Sequence, residues 1–351
     1  MHGFPLGYTG LRATGRESPG SGACPSPGPH PSDLRFVSAT GAGVVTPRTG
    51  RSARHSGVVH LDDDRDGRWA TRDARRSGER DEPFDPRTDR AILTGVSYRT
   101  GGYLADRQQI YRYAVNRSET MAQWLFGLIG GIDALREPIM DVGSGNGTYL
   151  LPLQHRRVFG LDLSPGMLRG IREAGFSGPL VEADAQTLPV APACVGTAMA
   201  NHMLYHVPDR EAAVRELRRV VRPGGVLLAI TNGTDHMTEL VAIRNAAIAE
   251  LAGRDVQHES AAARFNLDNG AAFLSPSFGS VELHHRRGEL VIRAAEPVVR
   301  YLASGVGTAS ALPEGVGFAQ MLAVAERIVR QRIAEEGELR VTTHAGAFVC
   351  R

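Results

Sequence analysis

Apolar residues in this chain occur in short runs that alternate with glycine-rich turns and amphipathic stretches. The clearest case spans residues 138–162 and reads PIMDVGSGNGTYLLPLQHRRVFGLD. A first apolar run predicts a buried strand, the glycines predict a tight turn, and the apolar stretch at residues 149–153 predicts a helix. Residues 158–161 predict a second strand, which ends on Asp162. This succession of strand, glycine turn, helix, strand and acid is typical of a nucleotide-binding βαβ unit.

Each part of this unit has a physical role at a nucleotide. Glycine has no Cβ, so the backbone at residues 143–147 can turn sharply and approach a ligand closely. A helix that follows the turn presents unpaired N–H groups to the ligand. At the tip of the second strand, the carboxylate of Asp162 can accept hydrogen bonds from two ribose hydroxyls.

Dinucleotides and S-adenosylmethionine (SAM) both fit this layout. A dinucleotide-binding loop has glycine at its first, third and sixth positions, whereas here the sixth position, counted from Gly143, is Thr148. Asp141 on the preceding strand would repel a pyrophosphate, but it could pair with the cationic amino acid end of SAM, directly or through water. In its D-x-G-x-G-x-G form, the stretch resembles motif I of the class I SAM-dependent methyltransferases.

Later segments extend this resemblance over residues 91–351. Residues 195–200 predict a central strand of a parallel sheet, and NHMLYHVPD follows at residues 201–209. A predicted helix, an R-P-G-G turn at residues 222–225 and another strand come next. The resemblance implies a Rossmann-like α/β fold, with a seven-stranded, mostly parallel sheet and helices on both faces.

The resemblance also implies helical additions to the sheet. Two helices before the first strand would form a lid, where Tyr98 or Arg99 either touches cofactor or substrate or packs under a helix. An insertion at about residues 234–277 would bind the acceptor. After it, residues 278–284 lead into one strand, residues 290–292 predict a further strand, and residues 340–349 predict a closing edge strand.

By this resemblance, the cofactor and acceptor would bind at the carboxyl ends of the strands. Asp184, at the tip of the third strand, either accepts a hydrogen bond from the adenine amino group or caps a turn. Met167 either leans over the adenine ring or packs in the core. The predicted cofactor-binding residues are Asp141, Gly143, Ser144, Gly145, Asn146, Gly147, Asp162, Leu163, Met167, Asp184, Ala185 and Asn201.

Methyl transfer from a sulfonium is an in-line displacement, so the main requirement is alignment of the nucleophile, the methyl carbon and the sulfur. A base can also take a proton from an oxygen or nitrogen nucleophile. The candidate catalytic bases are His202 and His206. An adenosine or backbone contact is the alternative for His202, and a buried structural role is the alternative for His206. A metal held by these two histidines would need a third ligand, and Asp209 is the only carboxylate nearby in the sequence. We therefore predict no metal.

The composition narrows the class of partner. The chain of 351 residues has a formal net charge of +2 and three cysteines. This charge gives no electrostatic reason to expect nucleic acid or an anionic membrane, and no apolar run reaches the roughly 18 residues that span a bilayer. The cysteines are too few for a disulfide framework and suit a reducing compartment. We expect a cytoplasmic protein that acts on a small-molecule methyl acceptor, and we leave a homodimer open.

Residues 1–90 differ from the rest of the chain. They are rich in Gly, Pro, Ser and Arg and sparse in large apolar residues, which predicts a disordered extension. Residues 91–351 would then form the methyltransferase domain. The sequence leaves two other functions open, namely a catalytically inactive SAM-binding regulatory module and an NAD-dependent oxidoreductase.

Overall fold

A computed structural model gives the structure of the protein for residues 36–37, 44–45, 84–115, 118–256 and 261–351. Two short strands, Phe36–Val37 (β1) and Val44–Val45 (β2), pair antiparallel. The remainder of the extension for which the sequence predicts disorder, up to residue 83, lies outside the described residues.

A seven-stranded sheet forms the centre of the fold. In chain order its strands are Ile139–Val142 (β3), Val158–Asp162 (β4), Leu180–Glu182 (β5), Val195–Met199 (β6), Val221–Asn232 (β7), Val281–Ile292 (β8) and Leu339–Cys350 (β9). In space the order is β5-β4-β3-β6-β7-β9-β8. The first five of these strands pair in parallel, and β9 runs antiparallel to both of its neighbours. The predicted Rossmann-like, mostly parallel sheet is confirmed.

The position of β9 distinguishes this sheet from the dinucleotide-binding fold. In that fold, parallel strands follow the order 3-2-1-4-5-6. Here the last strand in the chain is inserted, antiparallel, between the fifth and sixth strands of the sheet. The strand order reverses beside β3, whose neighbours are β4 and β6. A crevice at the carboxyl ends of the strands is therefore expected at this point.

Helices pack on both faces of the sheet, as predicted. In the described part they are Arg90–Ile92 (α1), Gly102–Gln109 (α2), Met121–Gly127 (α3), Pro165–Glu173 (α4), Arg210–Val220 (α5), Thr238–Ala252 (α6), Gly270–Leu274 (α7), Glu296–Ala303 (α8) and Phe318–Glu336 (α9). Alternate residues of a strand point to opposite faces. Accordingly, Ile139 of β3 belongs to the core formed with α3 and α4, whereas Met140 belongs to the core formed with α5 and α7.

A third apolar core lies beyond the parallel part of the sheet. The buried sides of α6, α8 and α9 pack there with Leu290 of β8, Val341 of β9 and Ile110, which follows α2. This core joins the helices between β7 and β9 to the segment that precedes the sheet. The residues on either side of the strand ends are thus held in one packed unit.

The prediction of a helix directly after the glycine turn is wrong. The chain there forms only a short 3₁₀ turn, Leu151–Leu153, which contains Pro152. Proline lacks the N–H that a continuing α-helix needs and clashes with the preceding turn. The glycine turn therefore does not end at the N-terminus of a long helix.

Two strand predictions near the C-terminus are also wrong. The strands predicted around residues 278–284 and 290–292 are one continuous strand, β8, whose polar middle interrupts the apolar pattern. That strand, and not β9, forms the edge of the sheet. Strand β9 lies between two neighbours, which explains why its last seven residues are all buried.

Candidate cofactor and acceptor site

A cavity of about 890 Å³ lies at the carboxyl ends of the parallel strands. Four consecutive strands each contribute a residue at or just beyond their ends, namely Gly143, Asp162, Ala183 and Asn201. The opposite wall comes from α2, the residues around it and β8. Small-molecule sites measure roughly 300–1,000 Å³, and ligands of open α/β sheets bind at this position. The cavity is therefore the candidate site.

Most of the predicted site residues meet at this cavity. Nine predicted cofactor residues line it, namely Gly143, Ser144, Gly145, Asn146, Asp162, Leu163, Asp184, Ala185 and Asn201. Both predicted bases, His202 and His206, line it as well. The other three, Asp141, Gly147 and Met167, do not, and Asp141 and Met167 are each 1% exposed.

The glycine loop after β3 depends on backbone conformations that favour glycine. Gly143, Gly145 and Gly147 have φ values of 68°, 55° and 80°, which residues with a Cβ rarely adopt. A Cβ on Gly143 would also stand 2.7 Å from the Cβ of Met203, in the segment after β6. The loop backbone thus lies against that segment at a distance that only glycine permits.

Asp162 connects the ends of two loops at the cavity. Its Oδ2 accepts a hydrogen bond of 2.8 Å from the backbone N–H of Gly145, and its Oδ1 accepts one of 2.8 Å from the N–H of Ser164. Burial raises the pKa of Asp162, while these backbone donors oppose the rise. A carboxylate offers about four lone-pair sites, so this acid can hold both loops and still accept from a ligand.

Asp141 lies behind the loop, in β3. Its Oδ2 is buried and has no hydrogen-bond partner. Burial, and then the charge of the nearby Asp162, raise the pKa of Asp141 to about 8. The carboxyl is therefore mostly protonated at neutral pH. At that pH it would ionise fully if a positive charge came close to it.

Asp184 organises a turn after β5. Its Oδ1 accepts hydrogen bonds of 2.9 Å from both the backbone N–H and the side-chain Nε2 of Gln186. The Oε1 of Gln186 in turn accepts from the N–H of Asp209, over 3.1 Å. The turn-capping alternative for Asp184 is thus present in the structure, and the same side chain also faces the cavity.

Two buried amides at the cavity lack partners. Neither Oδ1 nor Nδ2 of Asn201 makes a hydrogen bond, and neither does Oδ1 of Asn232 at the end of β7. An unsatisfied buried polar group costs about 1–3 kcal/mol. Because both side chains line the cavity, a polar ligand there would satisfy them.

His202 follows β6 in a left-handed conformation, with φ of 55°. Its backbone N–H donates to the carbonyl oxygen of Ile230 over 2.8 Å, which holds this conformation. Burial lowers the pKa of His202 to about 4, so the ring is neutral at pH 7. The ring makes no hydrogen bond to another residue in the part of the chain that the structure describes. It is therefore available to a bound acceptor.

Both ring nitrogens of His206 are occupied. Nδ1 lies 2.9 Å from the carbonyl oxygen of Arg87, which can only accept, so Nδ1 carries the proton. Nε2 then accepts a hydrogen bond of 2.8 Å from the hydroxyl of Tyr98. Burial lowers the pKa of His206 to about 4 and keeps the ring neutral. The structural alternative for His206 agrees with this geometry.

Helix α2 fastens the lid segment to the glycine loop. Oε1 of Gln108 accepts from Nδ2 of Asn146 over 2.7 Å, and Nε2 of Gln108 donates to the hydroxyl of Thr148 over 3.3 Å. A Cβ on Gly145 would stand 3.1 Å from Leu104 of the same helix. The helix thus closes one side of the cavity over the loop.

Known proteins agree with this arrangement. The sequence profile of a family described as "Methyltransferase domain" matches residues 140–229. This range runs from β3 into β7 and contains the glycine loop together with Asp162, Asp184 and Asn201.

Over this range the chain resembles the class I SAM-dependent methyltransferases. Over 106 residues it is 33% identical to a malonyl-acyl-carrier-protein O-methyltransferase of Serratia marcescens, across 30% of this chain and 42% of that protein. Over 125 residues it is 35% identical to a trans-aconitate 2-methyltransferase of Azoarcus sp., across 35% and 48% of the two chains. A demethylmenaquinone methyltransferase of Corynebacterium kroppenstedtii is 35% identical over 115 residues, across 28% and 49%. The chain spans less than half the length of each of these relatives.

The residues of this cavity fit SAM, the methyl donor that the resemblance implies. SAM carries ribose hydroxyls, an adenine amino group and a charged amino acid end. The cavity offers the acceptors of Asp162 and Asp184 and the unsatisfied amide of Asn201. The hydrogen-bond donors of SAM therefore match the hydrogen-bond acceptors of the cavity.

Several cavity residues were not predicted from the sequence. Arg107, Tyr111, His236 and Tyr301 all line the cavity. Among them, Nδ1 of His236 accepts from the backbone N–H of His344 over 3.0 Å, so Nε2 carries the proton toward the hydroxyl of Tyr111 at 3.2 Å. No local motif marks these residues, because they come from α2, the turn after it, the residues just before α6 and α8.

Two further observations concern metals and membranes. In the part of the chain that the structure describes, no group of three or more His, Cys, Asp or Glu side chains could hold a metal ion. Asp209 instead caps α5 by accepting from the N–H of Ala212 over 2.8 Å. No helix among the described residues is long and apolar enough to cross a bilayer.

Proposed function

We propose that this chain transfers a methyl group from SAM to a small-molecule acceptor, at an oxygen, nitrogen or carbon atom. One observation carries the proposal. A single cavity is lined by the glycine loop, by Asp162 and Asp184 at the ends of β4 and β5, and by His202, whose ring makes no hydrogen bond to a described residue. Donor and acceptor would share this space, which in-line displacement requires. The names of the three relatives specify acceptors other than nucleic acids, which supports a small-molecule acceptor.

When bound, SAM would supply a methyl group on a positively charged sulfur that leaves as a neutral thioether. Asp162 would accept from the ribose hydroxyls with the lone pairs that Gly145 and Ser164 leave unused. Asp184 would accept from the adenine amino group with Oδ2, since Gln186 binds Oδ1. The raised pKa of Asp141 suits a group that ionises beside the cationic end of the donor.

At the acceptor side, we propose His202 as the group that takes the proton of the nucleophile. A ring with a pKa of about 4 is a weak base at rest. Methylation of an oxygen or nitrogen makes its proton strongly acidic, so a weak base at the right position is sufficient. The amide of Asn201, at the next position along the chain, would orient the acceptor or the donor through its unsatisfied atoms.

The lid would exclude water from the reacting groups. Gln108 and Leu104 of α2 bind the glycine loop from above, and Tyr98 connects the lid to His206 below. Exclusion of water strengthens electrostatic interactions in the cavity. We propose residues 91–351 as the catalytic domain, with the segment at about residues 234–277 as the acceptor-binding insertion. A cytoplasmic location and a homodimer stay predictions.

Titration calorimetry with SAM tests the cofactor site. Asp162→Ala should weaken binding about 10- to 100-fold, because hydrogen bonds to a charged group are lost. Asp133→Ala is the matched control, since the side chain of Asp133 is fully exposed and away from the cavity. Equal affinity in Asp162→Ala and wild type would show that the site is misplaced.

A turnover assay separates the functional alternatives. S-adenosylhomocysteine (SAH) is measured after incubation of SAM with panels of phenols, amines, quinones and carboxylic acids. SAH above background would exclude a catalytically inactive regulatory module. Saturable enhancement of NADH fluorescence would instead support an oxidoreductase, against which the antiparallel β9 and the position of Thr148 argue.

A further inference from the structure

The guanidinium of Arg107 lines the cavity without an acidic partner. Its Nε and Nη2 donate to the hydroxyl and carbonyl oxygens of Ser304, over 3.3 and 3.0 Å, and Nη1 donates to the hydroxyl of Tyr98 over 3.2 Å. All three acceptors are neutral. The structure shows no ion pair between Arg107 and any acid among the described residues.

Arg107 differs in this respect from the other arginines that line the cavity. Arg90 lies 3.7 Å from Glu182, Arg286 lies 4.0 Å from Glu119, and Arg287 lies 2.6 Å from Asp235. Those charges are compensated within the protein. A charge that is removed from water without a counterion costs several kcal/mol. A negatively charged ligand beside Arg107 would compensate this cost.

A second arginine adds positive potential to the same region. Arg244 of α6 donates to the hydroxyl of Thr308 over 2.9 Å, and its Nε is buried without a partner. Burial lowers the pKa of Arg244 to about 10, which still leaves it charged at pH 7. Both Arg107 and Arg244 act electrostatically on the phenol of Tyr301, which places the two cations near one cavity residue.

Hydrogen-bond donors beside Arg107 remain available. One N–H on each of Nη1 and Nη2 is left, because each nitrogen has two and uses one. Tyr205 and Tyr301 line the same cavity, and their hydroxyls make no hydrogen bond to a residue in the described ranges. A guanidinium with two N–H groups left and neighbouring hydroxyls matches the two oxygens of a carboxylate.

We propose that Arg107, with the hydroxyls of Tyr205 and Tyr301, binds a carboxylate group of the methyl acceptor. This inference rests on the proposed function, since it names the acceptor class for the same cavity. The carboxylate of SAM is a less suitable occupant. Successive helical residues point about 100° apart. Gln108 contacts the glycine loop, whereas Arg107 points to Tyr98 and Ser304, on the side of His206.

The test compares carboxylates with their amides. Acetate, malonate and benzoate are titrated against acetamide, malonamide and benzamide by calorimetry, with and without saturating SAH. Wild type should prefer at least one carboxylate over its amide. Arg107→Met should weaken that carboxylate about 10- to 100-fold and leave SAH affinity unchanged. Arg330→Met, an arginine outside the cavity that is paired with Glu326, is the matched control and should bind like wild type.

Each outcome decides one point. No preference for any carboxylate in wild type that binds SAH would overturn this inference and leave the proposed function intact. Weakened SAH binding in Arg107→Met, with unchanged carboxylate binding, would assign Arg107 to the donor and also overturn it. Failure of wild type to bind SAH would instead overturn the proposed function. If Arg107→Met does not fold, Tyr301→Phe replaces it, with an expected loss of about 3- to 10-fold in carboxylate affinity, and an unchanged affinity would count against the inference.

Discussion

The hydroxyl of Tyr98 donates a hydrogen bond of 2.8 Å to Nε2 of His206. The direction of this bond is fixed by the opposite side of the ring, where Nδ1 donates to the carbonyl oxygen of Arg87. Tyr98 also accepts from Arg107 over 3.2 Å. One phenol thus links the segment before α2, the segment after β6 and the cation of Arg107.

Replacement of this phenol should destabilise the protein. Tyr98→Phe leaves Nε2 of His206 without a donor and removes one acceptor from Arg107, so we expect the free energy of unfolding to fall by about 1–3 kcal/mol. Urea unfolding measures it. Tyr103→Phe is the matched control, because Tyr103 is 39% exposed and lies close to Tyr98 in the chain, on α2. Equal changes in the two variants would contradict the buried bond.

The two histidines after β6 should respond differently to substitution. His202→Asn removes the ring, and asparagine tolerates a positive φ. We expect kcat to fall about 10²- to 10⁴-fold, as for loss of a general base, with SAM affinity preserved. His206→Asn should mainly lower the melting temperature, since both ring nitrogens of His206 are committed. Steady-state kinetics on the acceptor found by SAH release measures this. A larger fall in kcat for His206→Asn would assign the base to His206.

Much of the site could be predicted because local patterns encode it. A glycine loop and acids at strand tips depend on a few adjacent residues, so Asp162 was predicted from its position and Asp184 from the family resemblance, and both line the cavity. Arg107 could not be found in this way. Arg107 stands out because the guanidinium donates to the neutral oxygens of Ser304 and not to an acid of the described residues. Only the folded chain reveals this pairing.

The errors in the fold have a similar origin. An apolar run predicts a strand, but the run does not say how many neighbours the strand has. For this reason β9 was expected at the edge, although it lies between two strands. The polar middle of β8 broke the alternation that signals a strand, because an edge strand can leave such residues at a cavity or in solvent.

Gly143 should not tolerate a side chain. Gly143→Ala combines a φ of 68° with a Cβ only 2.7 Å from that of Met203. We expect a loss of about 2–4 kcal/mol in the free energy of unfolding, together with weaker SAM binding. Gly170→Ala is the control, because that helical glycine has no atom within 4 Å of an added Cβ, and the change should stabilise the protein by about 0.5–1 kcal/mol. Similar unfolding curves for both variants would contradict the close approach.

The buried carboxyl of Asp141 should make stability depend on pH. Its pKa is about 8 in the folded protein and near the ordinary value of 3.8 in the unfolded chain. The folded state thus holds a proton that the unfolded state releases, so stability falls as pH rises from about 4 to about 8. Asp141→Asn removes this dependence. Its stability relative to wild type should grow across that interval, by on the order of 2–5 kcal/mol in total. Melting temperatures of the two proteins from pH 4 to pH 9 measure this, and a constant difference would contradict the raised pKa.

The same carboxyl offers a test of where the donor binds. At pH 7 the carboxyl of Asp141 is mostly protonated, and an opposite charge within about 4–6 Å would lower its pKa. If the cationic amino acid end of SAM binds beside it, binding must release up to about one proton. Calorimetry in buffers with different ionisation enthalpies counts that proton. We expect release in wild type and none in Asp141→Asn. If neither protein releases a proton, the cation does not reach Asp141, and the amino acid end of SAM lies elsewhere in the cavity.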